Sequence, residues 1–119
     1  HGLVNAVELY LAWGAPVAQR LVVLSNSGAV GVLAADGAAR LGIPLATLAD
    51  ATVRRLSEVM PGFSTARNPV DLTAAMMSDA SMFSRALDAL AADPQADTLL
   101  VGVPVAGEGY NVEGMAADL

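Results

Sequence analysis

The 119-residue sequence has no cysteine and no lysine, and its one histidine stands at position 1. Without cysteine, disulfides, thiol catalysis and cysteine metal sites are excluded. Without lysine, a G-x-x-x-x-G-K-[ST] phosphate loop is excluded as well. A lone terminal histidine builds no histidine metal cluster and leaves a serine nucleophile without its base; His1 reads as a remnant of an expression tag. Positive charge is scarce: six arginines face twelve acidic residues, for a formal net charge of −6. General nucleic-acid binding, which needs a basic face to release counterions, is therefore disfavoured. No apolar run approaches the roughly 18 residues that span a bilayer. No basic n-region or signal peptide is visible, so a soluble cytoplasmic protein is expected, with no membrane partner. Aromatics make up only 4% of the chain, whereas 55% is hydrophobic and 15% charged. Alanine, valine and leucine supply most of that hydrophobicity. The composition predicts one domain at most, with a core of small, closely packed side chains.

Leu3, Val4, Val7, Tyr10 and Leu11 recur at helical spacing, so residues 3–13 read as an amphipathic helix stopped by Gly14 and Pro16. Residues 20–25 form a continuous apolar run and read as a strand buried on both faces. A helix follows over about 29–41, with Val30, Leu33, Ala34, Gly37, Ala38 and Leu41 on one face and Gly42 ending it. Ile43–Ala46 reads as a short strand with its proline at an edge. Asp50 is placed as the N-cap of a helix at 51–60, with Val53, Leu56 and Met60 inward. Residues 61–72 read as a turn-rich connection with a brief extended piece at 69–72. Ser78 or Asp79 caps a helix at 80–92 whose stripe is Phe83, Ala86, Leu87 and Leu90. Thr98–Val103 reads as a second central parallel strand, and residues 110–119 begin another helical pattern. Strands alternating with helices indicate right-handed crossovers and a parallel sheet covered on both faces. A helix opens the chain and a helix ends it, so residues 1–119 are expected to be a domain cut from a longer polypeptide.

The stretch Ser25-Asn26-Ser27-Gly28-Ala29-Val30-Gly31 carries the clearest functional signal. A buried strand turning through small residues into a helix points backbone N–H groups outward. Those groups and the helix dipole favour a phosphate or carboxylate there. The bland alternative is that the glycines only let the strand turn into a closely packed helix. The loop is neither G-x-G-x-x-G nor G-x-S-x-G. Asn68-Pro69-Val70-Asp71 is a second candidate, in which Asn68 and Asp71 fix a turn by side-chain to backbone bonds, or form no more than a rigid connection. The third is Pro104–Gly109, leaving the carboxyl end of the second long strand, where α/β folds place ligands; Glu108 is its one ionisable side chain. Arg67 is an available countercharge, though a lone arginine beside a turn is ordinarily solvated. The methionines, including Met76, Met77 and Met82, read as core or interface filler.

Together, residues 25–36 (SNSGAVGVLAAD), 67–72 (RNPVDL) and 96–101 (ADTLLV) resemble the NDP-forming acyl-CoA synthetases of the succinyl-CoA synthetase superfamily. The family pattern is T-N-S-G-G-x-G-V-L-A-A-D, then N-P-V-D-L, then V-D-x-[VIL]-[LV]-V. Order and spacing match over roughly residues 20–110; Ala29 stands where the family usually has a second glycine. The resemblance implies a flavodoxin-like succinyl-CoA-ligase domain, a three-layer α/β fold with helices on both faces of a parallel sheet. It further implies an acid–CoA ligase reacting through an acyl phosphate and a phosphohistidine. Ser27, Gly28, Ala29 and Gly31 would donate backbone hydrogen bonds to the phosphoryl group. Asn68 and Asp71 would shape the adjacent loop, and Gly107 and Gly109 would lie near the carboxylate substrate. The family's phosphohistidine segment, S-H-T-G-x-L-A-G, has no counterpart here, and His1 does not match it. CoA, ATP or GTP, and Mg would thus be bound by other domains of the parent enzyme, with no cofactor in this fragment, which is expected to be inactive alone. Its partners would be the CoA-binding, phosphohistidine and ATP-grasp domains. The same resemblance leaves an alternative: a regulatory or assembly module of an acyl-CoA synthetase-like protein lysine acetyltransferase, docking through the apolar faces at 3–13 and 76–83.

Overall fold

The computed structural model describes residues 19–79, 81–104 and 111–119. The expected helix at 3–13 and the loop residues Gly107, Glu108 and Gly109 lie outside them. Strand β1 (Leu21–Ser25) is buried at every position. A strand can bury both faces only in the middle of a covered sheet, and β1 takes that place in the order β2-β1-β3. Strand β3 (Thr98–Gly102) runs parallel to its whole length, from Leu21↔Thr98 to Ser25↔Gly102. Strand β2 (Val70–Asp71) joins only at the upper end, as Leu24↔Val70 and Ser25↔Asp71. Ser25, Asp71 and Gly102 therefore stand level across the carboxyl edge of the sheet.

Side chains of β1 alternate between two layers. Leu21 and Val23 pack with Ala38 of helix α1 (Gly28–Arg40). Val22 and Leu24 pack on the other face with Leu56 of α2 (Asp50–Val59), Phe83 and Leu90 of α3 (Met82–Ala91), and Met115 of α4 (Val112–Ala117). The result is the expected three-layer arrangement. Most large buried side chains lie on the second face, where each fully buried Leu or Phe contributes about 1.5–3 kcal/mol.

The α1 stripe is turned relative to the sequence reading. Gly31 and Ala38 are its buried residues, whereas Leu33 is 66% and Leu41 77% exposed. The turn follows from contact with the β2 side: a Cβ on Gly31 would stand 3.1 Å from Pro69 Cβ, so a side chain there would crowd this packing. At the other end Leu41 caps α1 and Gly42 follows with φ +70°, a conformation glycine adopts without strain.

Four further expectations are corrected. Residues 43–46 do not form a strand; they contribute one parallel bridge, Leu45 to Leu21. The lower half of the place beside β1 is filled instead by an amide side chain: Asn68 Oδ1 accepts from Val23 N–H at 2.9 Å, and Asn68 Nδ2 donates to Leu21 O at 2.7 Å and Ala46 O at 3.0 Å. Asp50 is not the N-cap of α2 but its first residue, the cap being Ala49. Met76 and Met82 are core residues rather than a docking face, with Met77 half exposed, and Ala74–Met77 form an unforeseen 3₁₀ turn. Finally, β3 is an edge strand among the described residues, partly exposed along its length.

Candidate functional site

The carboxyl edge of the sheet is where the sequence placed its site, and α1 starts there. Ser27 is the N-cap, in extended backbone, and its side chain makes no cap bond. Ser25, 2% exposed, turns its hydroxyl upward and accepts from Ser27 N–H at 3.0 Å. Gly31 N–H donates to Ser27 O at 3.1 Å, the first bond of the helix. The amides of Gly28, Ala29 and Val30 precede that bond, so helix geometry gives them no acceptor, and none is found among the described residues. No acidic residue occupies the first turn of α1. Gly28 and Ala29 are exposed and Val30 half-buried, so water or an anion reaches these donors. Of the four expected donors, Gly28 and Ala29 are open, whereas Ser27 and Gly31 already have partners. Val30, within the same turn but not among the four named donors, is a further amide without an acceptor among the described residues.

Asp71 stands beside this mouth. Its Oδ2 lies 3.0 Å from where a Cβ on Gly28 would be, and its Oδ1 accepts from Thr73 N–H at 2.8 Å. Thr73 has φ 59°, unusual for a β-branched residue, and its hydroxyl accepts from Ala75 N–H at 3.2 Å. Asp71 and Thr73 together thus turn the chain out of β2 into the 3₁₀ segment. Leu72 N–H donates to Ser25 O at 2.8 Å, tying that turn to the end of β1. Asn68, by contrast, bonds to Val23 and Leu21, below the mouth, and braces the sheet. Arg67 is exposed in the turn before it.

Gly102 closes the other flank. A Cβ there would approach Val30 Cγ1 to 2.8 Å, so only glycine lets β3 end this close to α1. The loop that continues from β3 leaves on the same edge, its residues 105–110 lying outside the described set. An open apolar depression of about 360 Å³, lined by Ala35, Ala39, Gly42, Ile43, Pro44 and Leu45, lies at the opposite end of α1 and offers no charged group to an anion.

The mouth of α2 is built differently. Asp93, 4% exposed, accepts from Ala49 N–H at 2.9 Å and from Gln95 N–H at 2.6 Å. Burial pushes its carboxyl upward, but hydrogen bonds from the Thr52 hydroxyl and the Gln95 and Ala49 N–H groups outweigh it, and the group titrates below the usual carboxylate range. At the start of α3, Asp79 accepts from both N–H and hydroxyl of Ser81, and pairs with Arg85 at 2.6 Å. No helix among the described residues is long and apolar enough to cross a membrane.

No protein-family model matches the chain. It is 42% identical over 85 residues to acetate–CoA ligase [ADP-forming] I of Archaeoglobus fulgidus, a match covering 70% of this chain and 12% of the relative. Identity is 32% to the alpha subunit of acetate–CoA ligase [ADP-forming] II of Pyrococcus furiosus, covering 71% of this chain and 18% of the subunit. A trans-feruloyl-CoA synthase from an unknown prokaryotic organism is 30% identical over 85% of this chain and 14% of its own length. The chain therefore spans between 12% and 18% of these curated relatives. Among solved structures, the dinucleotide-forming acetyl-coenzyme A synthetase 1 of Candidatus Korarchaeum cryptofilum, in complex with phosphate and ADP, superposes with a TM-score of 0.76. It shares 28% identity and is matched over 91% of this chain and 23% of that one. On these sequence matches and the shared fold, this chain is an α/β domain of the NDP-forming acyl-CoA synthetase family.

Proposed function

We propose that the parent protein is an NDP-forming acid–CoA ligase and that this domain supplies the start of α1 to its phosphorylated intermediate. The strongest support is the level ending of β1, β2 and β3 beneath three amides, of exposed Gly28 and Ala29 and half-buried Val30, with no acceptor among the described residues. Helix amino termini of this kind receive phosphate because N–H groups and dipole both face it. Phosphoryl transfer asks chiefly for positioning and charge stabilisation, which amides supply without acting as nucleophile or base. Gly28, Ala29 and Val30 would hold phosphoryl oxygens presented by a histidine on another domain. The Ser25 hydroxyl, by holding Ser27 N–H, keeps the turn open. Asp71 closes the β2 flank with negative charge, so the phosphoryl group approaches from the β3 side, across Val30 and Gly102. Nucleotide and CoA would be held by other domains, and Gly107 and Gly109 would lie near the acid substrate. Relatives named for acetate and for feruloyl-CoA both match this domain, so it would serve chemistry common to both.

The test is Gly28→Asp in the full-length parent. It sets a carboxylate at the first amide and against Asp71. Phosphoenzyme formation is expected to fall by at least tenfold with the fold retained; unchanged phosphorylation would remove α1 from the active site.

A further inference from the structure

Helix α1 is apolar on every side, with Asp36 and Arg40 as its charged residues. A helix of that kind is ordinarily covered all round, yet the residues it buries are Gly31 and Ala38, which face Pro69 and the sheet. At 3.6 residues per turn the rest divides into three rows. Gly28, Val32, Ala35 and Ala39 descend the flank that starts at Asp71, and Val30, Leu33, Gly37 and Leu41 the flank that starts at Gly102. Ala29, Asp36 and Arg40 lie between these rows and are exposed. Val32 is 61% exposed, beside the equally open Leu33 and Leu41. A Cβ on Gly37 would meet nothing within 4 Å, so the helix is narrow at its middle. Arg40 donates to the Asp36 carbonyl at 3.3 Å, while the ion pairs found among the described residues, Arg20 with Asp97 and Arg85 with Asp79, leave out both the Asp36 carboxylate and the Arg40 charge.

We propose that a second copy of this chain covers this face, the two α1 helices lying antiparallel about a two-fold axis level with Ala38. Charge complementarity selects that partner. A face with an acid and a base one turn apart is its own complement when reversed, as an isologous contact requires. This register sets Asp36 of each copy opposite Arg40 of the other, so two ion pairs form at once. The same operation brings like flanks together. On one flank Leu33 lies beside Leu41 of the second copy. On the other, Val32 reaches the rim of the depression lined by Ala35, Ala39, Gly42, Ile43, Pro44 and Leu45, about 360 Å³ in volume. Gly37 and Ala39, small residues near the axis, let the helices approach closely. Thirteen helical residues are about 20 Å long and about 10 Å wide. With the loop at 42–45 and both copies counted, the buried area is on the order of 1,000 Å², low among specific interfaces and suited to a weak dimer with a Kd on the order of 10 μM. The contact spans residues 32–45 and leaves Gly28–Val30 open, so it stands apart from the role proposed for the start of α1.

Sedimentation equilibrium of the 119-residue chain, from below to well above that Kd, tests this. A reversible monomer–dimer equilibrium is expected; a monomer throughout would overturn the proposal and leave the face to a different partner. Asp36→Arg and Arg40→Asp each set like charges opposite one another and are expected to weaken the dimer by at least about tenfold. Combined in one chain they exchange the two charges, and the double variant is expected to return to within about threefold of wild type. Single variants that dimerise like wild type, or a double variant no tighter than the single ones, would equally overturn it.

Discussion

Helices α1 and α2 begin in opposite ways. At α2 a buried carboxylate, Asp93, comes from 44 residues away to hold Ala49 N–H, and Asp50 adds a second negative charge in the first turn. At α1 the cap N–H has the neutral Ser25 hydroxyl, the first turn holds no acid, and the neighbouring carboxylate of Asp71 gives one oxygen to Thr73. Among the described residues, one helix dipole is thus neutralised by a carboxylate and the other is not. A helix start of the second kind, at the carboxyl edge of a parallel sheet, is the position we propose for an anionic ligand.

Breaking the satisfied mouth should have the largest effect. Asp93→Ala leaves Ala49 N–H, Gln95 N–H and the Thr52 hydroxyl without their shared acceptor, and should cost about 3 kcal/mol. In thermal melts this is a fall on the order of 10 °C. The same carboxyl gives a pH signature with a definite sign. Its native titration lies below the ordinary value of about 3.9. Its stabilisation is therefore complete above about pH 4 and lost as pH falls through the native value. Denaturant titrations from pH 6 down to pH 2 should show the advantage of wild type over Asp93→Ala shrinking as the pH falls below about 4.

Asn68→Ala should come next, at about 2–3 kcal/mol, because it strands Val23 N–H in a position 0% exposed. It sharpens the comparison by weakening the floor under both mouths while leaving the α1 amides in place. Phosphate should still shift those amides at temperatures where the variant is folded. The smallest effect should come from Asp71→Asn. Removing the flanking charge is expected to tighten phosphate binding at the start of α1 by about threefold, the size of one partly screened like-charge contact, with little change in melting temperature.

Much of this was legible in the sequence because it is local. An unbroken run such as Leu21–Ser25 has nowhere to go but the middle of a covered sheet. The spacing of Phe83, Ala86, Leu87 and Leu90 states one helix face, and all four are buried. What the sequence concealed depends on residues far apart along it. Asp50 looks like a cap until Asp93 is found beside Ala49. Ile43–Ala46 looks like a strand, yet its pairing with β1 stops at Leu45 and an amide side chain carries the ladder on to Val70. The α1 face was misread at Leu33 for a similar reason: apolar periodicity names the stripe but not which neighbour covers it, and Pro69 and Asp71 set the rotation. At the candidate site, the sequence pointed to a strand-to-helix turn that the structure contains, while which amides are open is decided by Ser25 Oγ and by the first helical bond to Ser27.

The contrast between the two helix starts is tested most directly by titrating inorganic phosphate into the isotope-labelled chain and following backbone amides. The account predicts that Gly28, Ala29 and Val30 move first and furthest, saturably, while Asp50–Thr52 at the start of α2 stay still. Equal movement at both helix starts, or none at residues 28–30, would contradict it.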